Sequence, residues 1–343
     1  MYFEPIALLD APAAAVVEQT AELSVLTYNV RGLPWPIALG RGAALKKIGR
    51  ELAQMRAEGR QPDVVLIQEG FRAEIADLIR ESGYKYWAHG PGKHERDPGE
   101  PGQPRKSKAL ALGEGLGKFT GSGLYVLSDA PILDVARLAY RDCAGLDCLA
   151  NKGVMRVRVA LDGVPTPVDV INTHLNSRHA SRAPAAEALA AHNHQTRELI
   201  DFIRANCDDL TPMLVGGDFN VRHAPARYDF DAAERPYKVV AEYCASPAAS
   251  CASAEADPRP QPWLRSQDLQ AFRDGAVRVQ PIAAETLFTR GSQTGRLSDH
   301  DGYLVRYRLS WAVTMPQVAY HPAPDIVVKP KLGLLGAKIA WKR

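Results

Sequence analysis

The sequence lacks any long apolar run and has almost no net charge. Charged residues or proline interrupt every apolar stretch well before the roughly 18 to 20 residues that a membrane-spanning helix needs. We therefore expect a protein that is soluble or at most peripheral to a membrane. The 343 residues include 42 basic and 39 acidic side chains, for a net charge of +3. That balance argues against a strongly basic protein that coats nucleic acid.

Cysteine is also scarce, with five residues in the whole chain. An odd, low number does not suggest a disulfide framework, although two pairs are close enough in sequence to close small loops. The pairs are Cys143 with Cys148 and Cys244 with Cys251. The first apolar stretch, at 6–17, follows no basic segment and is broken by an acid and a proline, unlike a signal peptide. These features favour a cytoplasmic protein, with a secreted or periplasmic one as the alternative if the N-terminus is processed or incomplete.

The composition is that of an ordinary globular chain, with 46% hydrophobic and 24% charged residues. A chain of this length can bury a large core, and no clear linker divides its middle, so we expect one large domain. Two segments, 89–122 and 222–262, show little periodicity. Irregular segments this long are usually functional loops or disordered ones.

Short runs of β-branched and apolar residues bounded by turn formers predict strands. The runs cover 24–30, 64–68, 123–127, 153–161, 168–175, 213–217 and 303–309. Amphipathic stretches at 43–58, 71–81 and 185–205 have apolar residues three and four positions apart, which predicts helices. Because Asp162 and Gly163 form a turn between two adjacent strands, antiparallel pairing and an α+β fold are favoured over a doubly wound parallel sheet.

Several predicted strands end in polar side chains that a buried core alone would not select. The motifs are Thr27-Tyr28-Asn29-Val30, Gln68-Glu69, Asn172-Thr173-His174-Leu175-Asn176, Gly217-Asp218-Phe219-Asn220 and Ser298-Asp299-His300. Each motif alone has an ordinary structural explanation, such as a helix-terminal charge or a turn cap. Together they predict side chains that converge at one edge of a sheet scaffold, as a metal-assisted hydrolytic site requires.

In this order, the motifs closely resemble the endonuclease/exonuclease/phosphatase superfamily, which includes DNase I, AP endonucleases, inositol polyphosphate 5-phosphatases and neutral sphingomyelinases. The resemblance covers about residues 22–310. It implies a four-layer α/β/β/α sandwich, in which two mostly antiparallel sheets pack face to face with helices outside. We accordingly expect an N-terminal extension at 1–21, a catalytic domain at 22–312 and a basic tail at 313–343. The tail is either a solvated extension or a basic contact patch.

The resemblance assigns metal binding to Glu69, with Asn29 beside it and Asp299 near the metal shell. A carboxylate is a hard oxygen donor of the kind that Mg²⁺ prefers, and Mg²⁺ is usually held by only one or two carboxylates. The resemblance therefore implies Mg²⁺ as the cofactor, with Mn²⁺ as the alternative.

Catalytic roles follow from the same resemblance. Asp218 orients or activates the attacking water, and Asn220 donates amide hydrogen bonds to the phosphate or the nucleophile. His174 and His300 face the phosphoryl oxygens, and His300 is the histidine more closely tied to water activation. Such a histidine needs an orienting acid on its other nitrogen, for which we nominate Asp268. The alternative is that Asp268 is a solvated acid, because the family's usual aromatic residue after it is leucine here.

Further segments bear on the substrate. The sequence from Ser122 to Ser128, followed by a proline, and the segment Asn151-Lys152-Gly153 resemble those of sphingomyelinase-like members. Asn151 and Lys152 are thus candidates for contact with a phosphate, although a lysine here also suits a solvated strand edge. Asn176 and Arg178 follow the third motif and are further candidates for substrate binding.

These observations predict a metal-dependent phosphoester hydrolase in which water attacks a phosphodiester in line, with a phospholipid or sphingomyelin-like substrate favoured. A lipid-cutting enzyme needs an apolar rim at a membrane surface, for which Trp35, Tyr86 and Trp87 are weak candidates. The alternative is a DNA endonuclease or AP-endonuclease-like enzyme, which the low net charge disfavours despite basic residues at 105–108. A catalytically inactive binding module is the remaining alternative, and intact motifs argue against it. We expect a monomer with peripheral membrane contact.

Overall fold

Alternating side-chain directions along the strands build two β-sheets that pack face to face. The computed structural model describes residues 15–34, 37–96, 114, 116–247, 249, 251–253, 261–291 and 295–315. Its strands are β1 (Ala15–Asn29), β2 (Val64–Gln68), β3 (Tyr86–His89), β4 (Tyr125–Ser128), β5 (Ile132–Ala139), β6 (Gly153–Val159), β7 (Val168–His174), β8 (Met213–Asp218), β9 (Lys238–Val239), β10 (Ala252–Ser253), β11 (Asp268–Arg273), β12 (Arg278–Leu287) and β13 (Gly302–Met315). Its α-helices are α1 (Arg41–Ala57), α2 (Ile75–Ser82), α3 (Ala185–Asn206), α4 (Pro225–Ala232) and α5 (Val240–Ala245).

The two sheets differ in size, but each contains a parallel pair of strands near its centre. The first sheet has seven strands in the order β10-β12-β13-β1-β2-β4-β3, and the second has six in the order β5-β6-β7-β8-β11-β9. Parallel pairing joins β1 to β2, β7 to β8 and β10 to β12, whereas antiparallel pairs are more numerous. The predicted turn between β6 and β7 is confirmed, because Gly163 has a φ of 75° and the two strands pair antiparallel.

Three apolar clusters show how the layers stack. Between the sheets, Val25 and Leu66 of the first sheet pack with Val157 and Phe272 of the second. The outer face of the first sheet packs against α1 and α2, through residues such as Leu26, Leu45, Ile48, Val65 and Leu78. The outer face of the second sheet packs against α3, through residues such as Ile171, Leu199, Ile203 and Val215. The predicted four-layer α/β/β/α sandwich is therefore confirmed.

The parallel pairs decide which edge of the sandwich carries the polar strand ends. Parallel neighbours need a crossover connection, which α1 provides between β1 and β2 and α3 between β7 and β8. The carboxyl ends of the two strands in each pair consequently meet at one edge. The larger compact unit of the chain, Gln19–Trp311, contains all of these strand ends.

The segment 222–262, expected to be irregular, contains two short helices among its described residues. Helix α4 has Pro225 in its first turn, where the fixed φ of proline suits a helix start. Helices of eight and six residues are too short for apolar periodicity to identify them. Most of the other irregular segment, including the basic residues at 105–108, lies outside the described part of the chain, as do Trp35 and the tail from 316 onward.

Both local cysteine pairs are disulfide-bonded. Cys143 is joined to Cys148 and Cys244 to Cys251, while Cys207 is a buried free thiol. Two disulfides argue against the cytoplasmic location expected from the sequence, because cytosolic thiols are normally kept reduced. Among the described helices, none is both long and apolar enough to span a bilayer.

Candidate active site

Three inward-facing side chains stand side by side across the second sheet. The strand register places His174 of β7 next to Asp218 of β8, and Asp218 next to Asp268 of β11. All three residues are buried. Opposed side chains on neighbouring strands are about 5 Å apart. The row therefore presents one imidazole and two carboxyl groups to the same space between the sheets.

Asn29 connects this row to the first sheet. Its Nδ2 donates hydrogen bonds to Oε1 of Glu69 and to Oδ2 of Asp218, both at 3.0 Å. Its Oδ1 accepts a hydrogen bond from the backbone N–H of Arg31 at 3.0 Å. Because Asn29 is fully buried, these bonds fix the amide nitrogen toward the two carboxylates. Asn29 thus bridges the acids that the two sheets contribute.

Glu69 leaves β2 in a left-handed backbone conformation, with a φ of 58°. For a residue with a side chain, this conformation costs roughly 1–2 kcal/mol. The N–H of Phe71 donates to the carbonyl oxygen of Glu69 at 2.8 Å, and the N–H of Gly70 donates to the carbonyl oxygen of Gly123 at 2.8 Å. A Cβ on Gly32 would lie 2.5 Å from the Glu69 carbonyl oxygen, so glycine is required there. Strain of this kind concentrates at functional sites.

His300, in the loop before β13, is oriented by Asp268. The Nδ1 of His300 donates to Oδ2 of Asp268 at 2.7 Å, and its Nε2 lies 3.9 Å from Oδ2 of Asp218. Burial alone would lower the pKa of His300, but the charge and hydrogen bond of Asp268, followed by the charges of Asp218 and Glu69, raise it to about 10. In this arrangement His300 is an imidazolium at neutral pH and can face phosphoryl oxygens as a cationic donor.

His174 is held in the opposite charge state by Lys152. The Nζ of Lys152 donates to Nε2 of His174 at 2.9 Å, to Oδ2 of Asp147 at 2.7 Å and to the carbonyl oxygen of Leu175 at 3.0 Å. Burial, and then the positive charges of Lys152 and His300, lower the pKa of His174 well below its usual value. His174 is therefore neutral, and the positive charge on this side of the site resides on Lys152.

Asn220 and Asp299 lie next to this cluster. The backbone N–H of Asn220 donates to Oδ1 of Asp218 at 3.0 Å, and its Nδ2 donates to the carbonyl oxygen of Leu175 at 3.0 Å. Asp299 is half-exposed and forms an ion pair with Arg31, with an Nε to Oδ2 distance of 3.2 Å. The neighbouring Ser298 donates its hydroxyl to the carbonyl oxygen of Asn29 at 2.7 Å, which anchors this loop to β1.

The other three predicted residues bond mainly to backbone in the described structure. The Nδ2 of Asn151 donates to the carbonyl oxygens of Gly92 and Glu95, at 2.7 and 2.9 Å. Similarly, Oδ1 of Asn176 accepts from the N–H of Ala144 at 2.9 Å. Arg178 is exposed and donates to the carbonyl oxygen of His223 at 2.6 Å. These contacts hold loops around the cluster.

Two charged residues near the site, the partly buried Asp147 and the buried Arg227, carry little or no signal in the sequence. Asp147 accepts hydrogen bonds from Lys152 and, at 2.6 Å, from the N–H of Ser177. Its only sequence signal is its position five residues before Lys152. Arg227 of α4 donates to the carbonyl oxygens of Asn176 and Asn220, at 2.7 and 3.2 Å. No motif surrounds Arg227, so nothing in the sequence points to it.

The cluster offers donors that suit a divalent cation. One ligand atom each from Glu69, His174 and Asp218 lie within 4.8 Å of one another, and the same holds for Asp218, Asp268 and His300. Burial raises the pKa of Glu69 and of Asp218, because both carboxylates lose hydration there. A cation between them would compensate this loss. The hard oxygen donors fit Mg²⁺ or Mn²⁺.

The sequence as a whole matches a known family. Residues 26–300 match the endonuclease/exonuclease/phosphatase family, a span that contains every residue of the cluster. The chain belongs to this family. The superfamily predicted from the ordered motifs is thereby confirmed.

Sphingomyelinases are among the sequence relatives of this family member. The sphingomyelinase of Mycobacterium tuberculosis is 28% identical over 208 residues, which cover 60% of this chain and 35% of the relative. Sphingomyelinase C of Bacillus cereus is 25% identical over 228 residues, which cover 65% of this chain and 64% of the relative. The chain thus spans about a third of the mycobacterial relative and less than two thirds of the Bacillus one. These relatives confirm the predicted resemblance to the sphingomyelinase-like branch.

Solved structures share the fold. Sphingomyelinase C from Streptomyces griseocarneus is similar with a TM-score of 0.56 at 24% identity, over 83% of this chain and 99% of that one. A Staphylococcus aureus beta toxin mutant with bound magnesium ions has a TM-score of 0.55 at 16% identity, over 86% and 100% of the two chains. TDP2 of D. rerio complexed with a single-strand DNA product has a TM-score of 0.56 at 16% identity, over 84% and 99%. At these identities the similarity concerns the fold alone.

Proposed function

We propose that this chain is a metal-dependent phosphodiesterase that hydrolyses a phospholipid or sphingomyelin-like phosphodiester. The observation that carries the proposal is the single cluster in which Asn29 joins Glu69 to Asp218, opposite the Asp268–His300 pair. The cluster combines a pair of carboxylates that can bind a cation with an oriented imidazolium. Both features suit the hydrolysis of a phosphoester, which is the chemistry of this family.

A phosphodiester resists hydrolysis because the nucleophile must approach an anion and further negative charge builds up on the phosphoryl and leaving oxygens. Mg²⁺ held by Glu69, beside Asp218, would act there as a Lewis acid that neutralises this charge. His300 and Lys152 add fixed positive charges from the protein. Lys152 uses its three N–H bonds on Asp147, His174 and the carbonyl oxygen of Leu175, so it contributes positive charge beside the phosphate and not a hydrogen bond to it.

Proton transfer in the proposed reaction involves Asp218 and His300. The raised pKa of Asp218 gives this carboxylate more proton affinity than a solvated aspartate has, which suits a residue that orients the attacking water and accepts its proton. Asp268 keeps Nδ1 of His300 protonated and directs Nε2 toward the reacting group. The water attacks in line with the leaving group. The side-chain amide of Asn220 donates a hydrogen bond to the phosphate or to the nucleophile.

A lipid substrate is supported by the sequence relatives and by exposed apolar side chains on loops connected to strands that carry site residues. Ile37, Leu39 and Phe119 are 65%, 77% and 65% exposed. Ile37 and Leu39 follow β1, which ends at Asn29, and the N–H of Phe119 donates to the carbonyl oxygen of Leu149, three residues before Lys152. Exposed apolar side chains on loops that lead from the site suit peripheral contact with a lipid surface.

A DNA phosphodiesterase is the second candidate. One observation favours it: the fold is shared with a TDP2 structure that holds a single-strand DNA product. The net charge of +3 is small for an enzyme that must neutralise many phosphates of a nucleic acid. An inactive binding module remains the third candidate.

A substrate panel tests the proposal. The panel contains sphingomyelin in vesicles and in detergent micelles, a lysophospholipid, an inositol phosphate, plasmid DNA and abasic DNA, each with Mg²⁺ or with EDTA. We expect Mg²⁺-dependent hydrolysis of sphingomyelin or the lysophospholipid, abolished by EDTA. Cleavage of plasmid or abasic DNA with no lipid turnover would establish the nuclease candidate instead. No hydrolysis of any substrate would favour the binding module.

The two disulfides support an oxidising compartment, and we infer that the chain functions outside the cytoplasm. Closing a short loop stabilises a fold by about 2 kcal/mol in the chain-entropy description. We therefore expect a reducing agent to lower the melting temperature of the protein by several degrees. Cys207→Ser should leave this response unchanged, because Cys207 forms no disulfide. An identical melting temperature with and without the reductant would contradict the inference.

A further inference from the structure

Asn172 connects the two sheets directly beneath the candidate site. It lies two residues before His174 on β7, faces inward and is fully buried. Its Nδ2 donates to the carbonyl oxygens of Ile67 and Tyr125 in the first sheet, both at 2.9 Å. Its Oδ1 accepts from Nε2 of Gln68 at 2.7 Å. One side chain of the second sheet thus makes three hydrogen bonds to the first.

The bonded carbonyls lie where two strands of the first sheet stop pairing. The ladder between β2 and β4 ends at the pair Ile67 and Tyr125. Buried carbonyl groups at the end of a ladder need donors from elsewhere, and Asn172 supplies them. Immediately beyond this point the chain enters the left-handed turn at Glu69. Asn172 therefore fixes the end of β2, and the position of this strand end determines where the Glu69 carboxylate lies in the site.

The side chain of Gln68 extends the same connection. Besides Asn172, its Nε2 bonds Oγ1 of Thr27 on β1 at 3.1 Å. Its Oε1 is buried without a hydrogen-bond partner among the described residues. A buried polar group that is incompletely bonded is less favourable than an apolar one of similar size. Stability alone thus gives little reason for the amide of Gln68. Asn172, by contrast, is fully bonded, and its directional bonds fix the register between the sheets.

We infer that Asn172 is a positioning residue for the metal-binding half of the site. It fixes the strand segment that ends in Glu69 against β7, and so sets the spacing between Glu69 and the row formed by His174 and Asp218. Asn172 acts through the backbone of β2 and has no contact with the reacting atoms. The inference rests on the proposed function, because it concerns the same cation and the same reaction.

The test compares Asn172→Leu with the wild type. Leucine fills a similar volume but cannot bond the carbonyls of Ile67 and Tyr125. The matched control is Tyr307→Phe, which removes one buried hydrogen bond, from the tyrosine hydroxyl to Oε1 of Gln270 at 2.9 Å, and leaves β2 and β4 untouched. Asn172→Ser, which shortens the side chain and keeps one donor, replaces the leucine variant if that variant does not fold. Each protein is measured by Mg²⁺ calorimetry, by thermal melting, and by kcat and KM on sphingomyelin micelles.

For the Asn172 variant we expect Mg²⁺ affinity to fall at least tenfold and kcat to fall at least tenfold, with KM changed less than threefold. Tyr307→Phe should lower the melting temperature without either effect. Equal losses in the two variants, or Mg²⁺ binding by the Asn172 variant that matches the wild type, would overturn the inference. If the wild type hydrolyses no substrate, the proposed function fails, and calorimetry still decides the positioning role. A wild type that binds no Mg²⁺ overturns both.

Discussion

Replacing His300 by alanine should lower kcat for phosphodiester hydrolysis by about 10³-fold while KM changes little. General acid–base groups typically contribute 10²- to 10⁴-fold, and His300 also supplies a fixed positive charge. Its orientation depends on the 2.7 Å hydrogen bond between its Nδ1 and Asp268. Asp268→Asn should therefore lower kcat by a similar factor. The double variant should be little worse than either single one, because the two residues act as a unit.

The control for His300 is His179→Ala. His179 is an exposed imidazole in the loop after β7, and its removal should leave kcat within twofold of the wild type. Steady-state kinetics with saturating Mg²⁺ measures all four variants. A kcat for His300→Ala within fivefold of the wild type would exclude a direct role for this imidazole. Losses in Asp268→Asn and His300→Ala that multiply in the double variant would show that Asp268 acts independently.

Glu69→Gln should weaken Mg²⁺ binding by at least about 100-fold and reduce kcat by at least about 10³-fold, since the substitution removes the carboxylate charge. Glutamine still offers an oxygen that can accept the hydrogen bond from Nδ2 of Asn29. The fold around the site should therefore persist. Calorimetry measures the first effect, and hydrolysis of the proposed lipid substrate measures the second.

The same substitution should stabilise the metal-free protein. Burial raises the pKa of Glu69, so this carboxylate ionises more readily in the unfolded chain than in the folded one. The free energy of unfolding therefore decreases as the pH rises from the pKa of Glu69 in the unfolded chain toward its pKa in the folded chain. At neutral pH the charged carboxylate destabilises the fold. Neutral glutamine removes this effect, and the melting temperature without Mg²⁺ should rise by about 2–4 °C.

Glu74→Gln is the matched control for Glu69. The exposed Glu74 is paired with Arg72, whose hydrogen bond lowers the pKa of Glu74. Its removal should neither raise the melting temperature nor alter Mg²⁺ binding. Added Mg²⁺ should stabilise the wild type and Glu74→Gln but not Glu69→Gln. A Glu69→Gln protein that still gains stability from Mg²⁺ would place the cation elsewhere.

The strand ends explain why much of the site could be predicted from the sequence. Side chains alternate with a period of two, so Asn29, His174 and Asp218 continue the inward rows of apolar residues on their own strands. Each lies at the end of a short run rich in apolar residues that is visible in the sequence. Glu69 and His300 lie just beyond strand ends in the same ordered motifs. A local pattern therefore suffices to predict which residues reach the edge of the sandwich.

Contacts between distant segments could not be predicted in this way. Two of the three bonds of Asn172, those with Ile67 and Gln68, join positions more than a hundred residues apart. Within the described part of the chain, Arg227 bonds to backbone carbonyls, whose positions depend on the folded loops. Likewise, the sequence did not decide whether the local cysteine pairs would form disulfides, because spacing permits a bond without requiring one. The predicted helix at 71–81 begins only at Ile75, because the chain first makes the left-handed turn at Glu69. No local pattern predicts this turn, since glutamate rarely adopts a left-handed conformation.

The order of these residues along the chain has a consequence for when activity can arise. The cluster begins with Asn29 and is completed only by His300, which precedes β13, and β13 lies beside β1 in the first sheet. During synthesis from the amino terminus, β1 lacks this neighbour until residues 302–315 have been made. A nascent chain, or one held unfolded during export, would therefore have no assembled site. Under the proposed function, lipid hydrolysis would begin only once folding has brought these distant segments together.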